Sequence, residues 1–344
     1  MNNKRKYLII FLIAILVVSV IITKVDEKKS QKLNIENVED IALSYQYIDT
    51  NFYYNQLNSV EQKVYDKIVE NLNNYQGGEI ILDENISVNN LSRIADAVRF
   101  NSNNNYFYSL FTLPITSDNK IVNWNTNQSS EELEKNQISK ILLEIYIGED
   151  DTRLDNFNVS DDLTITNYDE KKGIFEVIPD ELISKYESIK NETDKILSDI
   201  VSTMPKDLNQ EEAINYFSQW IVDNMTYTDT FNPQVNYGDV VNDECQFSSY
   251  MASVTKKAAV CSGFAKILSE LCSKVGIESY ICLGTVSNGG TPFNHAWVAI
   301  KIGDKVYYKD PTMEVTSQKV YPLKRREDLV KNSYILRFSN HFSY

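Results

Sequence analysis

The stretch HAWVAIKIGDKVYYKDP, residues 295–311, constrains the fold more than any other part of the chain. Ala296, Val298, Ile300 and Ile302 alternate with His295, Trp297, Ala299 and Lys301, which reads as a two-faced strand. Gly303 and Asp304 supply a two-residue hairpin turn, and KVYYKDP returns as the partner strand. So short a loop leaves one register, with Ile302 opposite Lys305 and Trp297 opposite Asp310. His295 and Trp297 share a face because side chains alternate along a strand. Asp310 is then the diagonal same-face neighbour of His295, about 7–8 Å away between backbones, a gap that side chains bridge. Pro311 is expected to close the strand. An imidazole oriented by a carboxylate is the proton-handling half of a nucleophilic triad, although an Asp before Pro is also an ordinary turn residue.

The nucleophile for such a pair comes from AAVCSGFAKILSELCSKVG, residues 258–276. Phe264, Ile267, Leu268, Leu271, Cys272 and Val275 fall at helical spacing, and Gly276 stands where a left-handed C-cap is wanted. Cys261 lies at the start of this helix, with the small residues Ser262 and Gly263 beside it. Unpaired N–H groups and the positive helix end favour an anion there, so a thiol gives up its proton more readily. The same N–H groups can stabilise an oxyanion. Taken alone, Cys261 also fits a small buried core residue. The chain has two histidines, His295 and His341, and the second sits near the C-terminal end, so a Cys–His mechanism uses His295.

Cys245, Cys272 and Cys282 complete the cysteine count. Cys272 belongs to the apolar stripe, and a disulfide among these three would leave one free. No cysteine or histidine pair has metal-ligand spacing, and no EF-hand loop, Walker sequence or dinucleotide fingerprint occurs. No metal and no cofactor are expected. A net charge of −14 argues against a nucleic-acid partner, which would need a basic face.

The segments VCSGFAKILSELCSKVGI, HAWVAIKI and KVYYKDPT, in that order, resemble the Cys, His and Asp motifs of the transglutaminase-like superfamily, a branch of the papain-like thiol fold. WIVDNMTY and SSYM sit where bacterial members carry similar segments, so the resemblance spans about residues 180–315. It implies that Cys261 is the nucleophile, His295 the general base and acid, and Asp310 its orienter. Val298 and Met313 stand where bacterial members often carry Asn and an aromatic residue, a departure that bears on pocket shape. Tyr250 is a candidate for the auxiliary oxyanion donor, or else a packing tyrosine.

At the other end, Lys4, Arg5 and Lys6 precede the uncharged run YLIIFLIAILVVSVII. The run lacks a small-x-small cleavage site and reads as a signal anchor with the body outside the cytoplasm, or alternatively as a cleaved signal peptide. The expected organisation is an anchor over residues 1–23, a linker over 24–40, an α+β module over 41–180 and a transglutaminase-like domain over 181–344. In the module, SVEQKVYDKIVENLNNY predicts a helix stopped by Gly77 and Gly78, and ISVNNLSRIADAVRF a second helix. NYFYSLFTL, NKIVNW and SKILLEIYI predict strands. Two further helices are expected: one over 180–204 carries Leu182, Tyr186, Ile189, Ile196, Ile200 and Met204 inward, and one from Asn209 starts with a capping-box-like Asn209 and Glu212 and buries Ile214, Phe217, Ile221 and Met225.

The fold class expected is therefore α+β, with a papain-like or transglutaminase-like core in which the nucleophile at a helix N-terminus packs on an antiparallel sheet. The expected activity is that of a thiol peptidase or amidase acting on protein or peptide substrates at the cell surface or wall. A protein-glutamine acyltransferase and a non-catalytic adhesion or assembly module are the alternatives.

Overall fold

Two antiparallel sheets, three-stranded and four-stranded, are backed by helices whose apolar faces run together into one core. The structure, a computed structural model, describes residues 51–101, 109–117, 120–122, 135–146, 176–228, 250–287, 292–332 and 334–336. The expected anchor and linker, Cys245 and His341 lie outside the described residues. Among the described residues no helix is long and apolar enough to cross a membrane.

Helix α1 (Ser59–Asn73) starts with a capping box. The Asn58 side chain accepts from the backbone N–H of Val60 and Glu61, and Glu61 accepts from the Asn58 N–H at 2.8 Å. Val64, Ile68 and Leu72 are buried as the spacing requires. The helix ends at Asn73, and the chain turns through Tyr75 at φ 51° before it reaches the glycines. Strand β1 (Gly78–Ser87) follows and is absent from the sequence reading. That reading placed Ile86 and Ser87 in the next helix, whereas α2 is Val88–Phe100 and Ser87 is its N-cap, accepting from Asn90 N at 3.1 Å. Serine competes for backbone hydrogen bonds, so it ends the strand and starts the helix rather than lying inside either.

Strands β2 (Ser109–Ile115) and β3 (Gln137–Tyr146) complete the first sheet in the order β1-β3-β2. Of NKIVNW, residues 120–122 are described and form the isolated bridge between Ile121 and Ile115, while Asn119, Asn123 and Trp124 lie outside the described residues. Helix α3 (Asp180–Ser202) buries Tyr186, Thr193, Leu197, Ile200 and Val201. Leu182, Ile189 and Ile196, expected inward, are only partly buried. Contacts with two further helices turn the face towards Thr193, whose hydroxyl bonds the Ile189 carbonyl at 2.8 Å. Helix α4 (Gln210–Asn224) has the expected capping box and buried stripe of Ile214, Phe217 and Ile221, continued by Met225 just past its end.

The remaining elements build around the second sheet. Strand β4 (Thr226–Tyr227) leads to α5 (Tyr250–Lys256) and β5 (Ala258–Ala259), which pairs in parallel with β4. Helix α6 (Cys261–Lys274) then precedes β6 (Ser279–Val286), β7 (Phe293–Ile302) and β8 (Lys305–Lys309). Short helices α7 (Pro311–Ser317) and α8 (Arg326–Lys331) lead into β9 (Tyr334–Leu336). The sheet order is β8-β7-β6-β9, and α6 packs on β6 and β7.

The residues before α1 meet the second sheet through an aromatic contact at the edge of β6. Strand β9 pairs only with Gly284–Val286. Further back, the Ile281 N–H donates to the Tyr53 hydroxyl at 2.7 Å, and Phe52 stacks on Tyr280. A tyrosine oxygen thus satisfies a backbone donor of β6.

Candidate active site

The hairpin that positions the histidine has the register expected of its turn. Ile302 pairs with Lys305, and the ladder runs back to Val298 opposite Lys309. Gly303 takes φ 60°, the left-handed conformation that a tight hairpin turn asks for. The ladder then stops one residue short of the expectation. Asp310 is the N-cap of α7, with its side chain accepting from Met313 N at 3.1 Å and Pro311 in the first turn. Asp-Pro is a strong helix start, so Pro311 opens a helix rather than merely closing a strand.

His295 and Asp310 meet as the diagonal predicts. Nε2 of the ring and Oδ2 of the carboxylate are 2.8 Å apart, and both residues are buried, at 6% and 7% exposure. The carboxylate accepts, so Nε2 carries a proton and Nδ1 is left for the third group. That group is Cys261, which hydrogen-bonds the imidazole. Burial alone pushes the ring down, and hydrogen bonds and charge from Asp310 and Cys261 outweigh it, so His295 is pushed up from 6.5 to about 10. The three residues selected from the sequence therefore stand together.

Helix α6 presents Cys261 half-buried, and Val260 before it makes no side-chain cap. The first-turn N–H groups are therefore not taken up by a capping side chain, which suits an anion. Eleven residues on, Cys272 is fully buried, and burial, only partly offset by Lys309 and Ser279, pushes its thiol up to about 12. One helix thus carries a packing thiol and an accessible thiol. Gly276 follows at φ 74°, as expected of its place beyond the helix end. Cys261 and Cys272 are free thiols.

Two supports were missed by the sequence reading. Tyr334 on β9 donates its hydroxyl to Asp310 Oδ2 at 2.6 Å. Its ring lies edge-on to Trp297, which in turn stacks on His295. The second support brackets Asp310 in the chain: Lys309 and Glu314 form a buried ion pair at 2.9 Å. Lys309 also donates to Asn215 on α4 and to the Tyr321 carbonyl, while Glu314 accepts from Tyr321 N at 2.7 Å. Burial pulls Lys309 down and pushes Glu314 up, each partly opposed by its partner. Tyr334 lies on a three-residue strand too short for periodicity, so nothing local marked it. The side chain of Tyr250, the candidate oxyanion donor, lies outside the described residues.

Residues 195–336 match the family model of the transglutaminase-like domain. The match reaches β9 and so takes in Tyr334 as well as Cys261, His295 and Asp310. Comparison with curated proteins finds no match. Among solved structures, the chain is similar to a candidate cysteine protease from Cytophaga hutchinsonii, at 20% identity and TM-score 0.28 over 42% of this chain and 46% of that one. It is similar to a TGase at 17% identity and TM-score 0.29, over 44% of this chain and 39% of the other. A candidate protease from Parabacteroides distasonis matches at 10% identity and TM-score 0.25, over 59% and 36%. The chain spans less than half the length of each, and overlaps this loose assign no residue roles.

Proposed function

We propose, from the match of residues 195–336 to the transglutaminase-like domain, that the protein is a thiol hydrolase of amide bonds in protein or peptide substrates. Cys261 is the nucleophile, His295 the general base and acid, and Asp310 the residue that orients the ring. We place the body outside the cytoplasm, held by residues 1–23 as a membrane anchor. The support for that placement is the basic cluster Lys4, Arg5 and Lys6 before an uncharged apolar run.

The observation that carries the reading is the hydrogen-bonded chain from an accessible thiol, through His295, to a buried carboxylate. A ring held protonated beside sulfur provides the counter-charge that a thiolate nucleophile needs. Cys261 Sγ adds to the carbonyl carbon, and the oxyanion formed is stabilised by N–H groups at the start of α6. The C–N bond then breaks, His295 gives its proton to the leaving amine, and a thioester is left. Water attacks the thioester as His295 takes a proton back, and the C–S bond breaks to release the acid. Asp310 keeps the ring in the tautomer that serves both steps.

The test is incubation of the full chain with protein and peptide mixtures, with and without a fluorescent primary amine, against a Cys261→Ala variant. Cleavage that requires Cys261 is expected, and its products are read by mass spectrometry. Amine incorporation without cleavage would replace hydrolysis by acyl transfer. A Cys261→Ala variant that retains the full cellular phenotype would overturn the enzymatic reading.

A further inference from the structure

Asp310 Oδ2 accepts two hydrogen bonds, from His295 Nε2 at 2.8 Å and from the Tyr334 hydroxyl at 2.6 Å. Its other oxygen accepts from Met313 N at 3.1 Å. We propose that Tyr334 is a positioning residue of this site, which locks the Asp310 carboxylate and limits how tightly that carboxylate holds the His295 proton. The proposal rests on the Cys261–His295–Asp310 reading given above and extends it to a fourth side chain.

The argument begins with geometry. A carboxylate bonded only through one oxygen to a helix N–H can still rotate about its last bond. His295 holds the opposite oxygen from β7, and Tyr334 adds a second donor there from β9, so the carboxylate stays fixed while the ring gives up its proton. Because Tyr334 and His295 share Oδ2, they compete for the same negative charge. A hydrogen bond to a charged acceptor is among the stronger kinds, so the competition is appreciable. His295 has to release its proton to a leaving amine, and a carboxylate with undivided charge would hold it back. Tyr334 therefore tempers the carboxylate as well as fixing it.

The tyrosine is well placed for this role. It is buried, lies edge-on to Trp297 at 5.2 Å between centroids, and packs near the His295 ring at 6.2 Å. Burial first, and then the Asp310 charge, push its hydroxyl well above its ordinary value, so it stays a donor throughout the working range. The other charged or titratable groups around the pair are Cys261 on α6, the Lys309–Glu314 ion pair flanking Asp310, and the Lys324 ammonium 5.8 Å from the Tyr334 ring centre. None of these takes the place of a donor on Oδ2 among the described contacts of Asp310.

The experiment uses Tyr334→Phe in the full chain, which keeps the ring packed on Trp297 and removes only the hydroxyl. The chain has two histidines, so ring-carbon NMR with labelled histidine follows both, and a His295→Gln variant assigns the signals. The His295 midpoint is expected to rise by about 0.5–1 unit in Tyr334→Phe, with an unchanged amide fingerprint. Turnover is expected to fall about 3- to 10-fold in kcat with KM little changed, and the pH profile to move with the histidine. An unmoved His295 midpoint in a folded variant would overturn the proposal and leave Tyr334 a packing residue. A midpoint that moves while neither protein cleaves any amide would uphold Tyr334 as the tuner of the pair and overturn the amide chemistry instead. Should Tyr334→Phe lose its fold, Trp297→Phe serves as the packing control. Equal loss of fold in both would overturn the positioning role.

Discussion

Glu61 on α1, beside the three-stranded sheet, and Asp310 before α7, beside the four-stranded sheet, are both buried carboxylates at helix starts, 3% and 7% exposed. Each uses one oxygen to hold a helix end: Glu61 Oε2 accepts from Asn58 N, and Asp310 Oδ1 from Met313 N. Their second oxygens face different neighbours. Glu61 Oε1 accepts from the Asn90 side chain at 2.9 Å, and Arg93 completes the cluster as an ion pair, so the acid ties α1 to α2. Asp310 Oδ2 meets an imidazole that itself reaches an accessible thiol. Burial and capping are common to both regions. The difference is whether the remaining oxygen faces another structural group or one that can carry a proton to the surface.

The sharpest way to break this contrast is at the thiol. Cys261→Ala is expected to cut amide turnover about 1,000-fold or more, because the covalent step has no other nucleophile, while the melting temperature stays close to wild type. Turnover that survives in single-turnover assays would detach the second region from catalysis. Next comes Asp310→Asn, which keeps an oxygen for the Met313 N–H but removes the charge. We expect kcat to fall about 100-fold and the His295 midpoint to drop towards 6.5, with α7 intact by circular dichroism. A loss of stability without a shift of the histidine would make Asp310 a cap like Glu61.

Glu61→Ala is the reciprocal test. It removes a capping box and leaves the Asn90 amide without its acceptor, so the fold is expected to lose about 1–2 kcal/mol in urea unfolding with kcat unchanged. A change in kcat larger than the unfolding explains would show that the region around α1 and α2 reaches the site. The last test is the pH dependence of stability. His295 is raised from 6.5 to about 10, so its pairing with Asp310 stabilises the fold fully below 6.5 and is lost as pH rises through about 10. Wild type should therefore lose stability faster than His295→Gln between these values. Parallel curves for the two proteins would contradict the raised histidine.

Much of the second region was legible because its signals are local. A two-residue turn admits one register, so the sequence alone aligns His295 with Asp310. A stripe at helical spacing separated Cys272, which packs, from Cys261, which begins the helix. The first region was less legible for the same reason in reverse. β1 mixes Ile80 and Leu82 with Asp83, Glu84 and Asn85 after a glycine pair, and its pairing with β3 breaks register between Ile81 and Ile86. A strand interrupted in that way shows no continuous alternation. The inward face of α3 was misjudged because Thr193 is buried by its neighbours, which no periodicity of apolar residues reports.

What the sequence by itself determined is what neighbours in the chain decide: the hairpin register, the helix start at Cys261, and the Asp-Pro pair that both ends β8 and begins α7. What only the tertiary structure decided is how distant segments share one acceptor. Tyr334 reaches Asp310 from 24 positions away, and Lys309 meets Asn215 from 94 positions away. Such meetings depend on how sheet and helices close around the core, because a buried carboxylate or ammonium takes its partners from whatever the packing brings within hydrogen-bond reach.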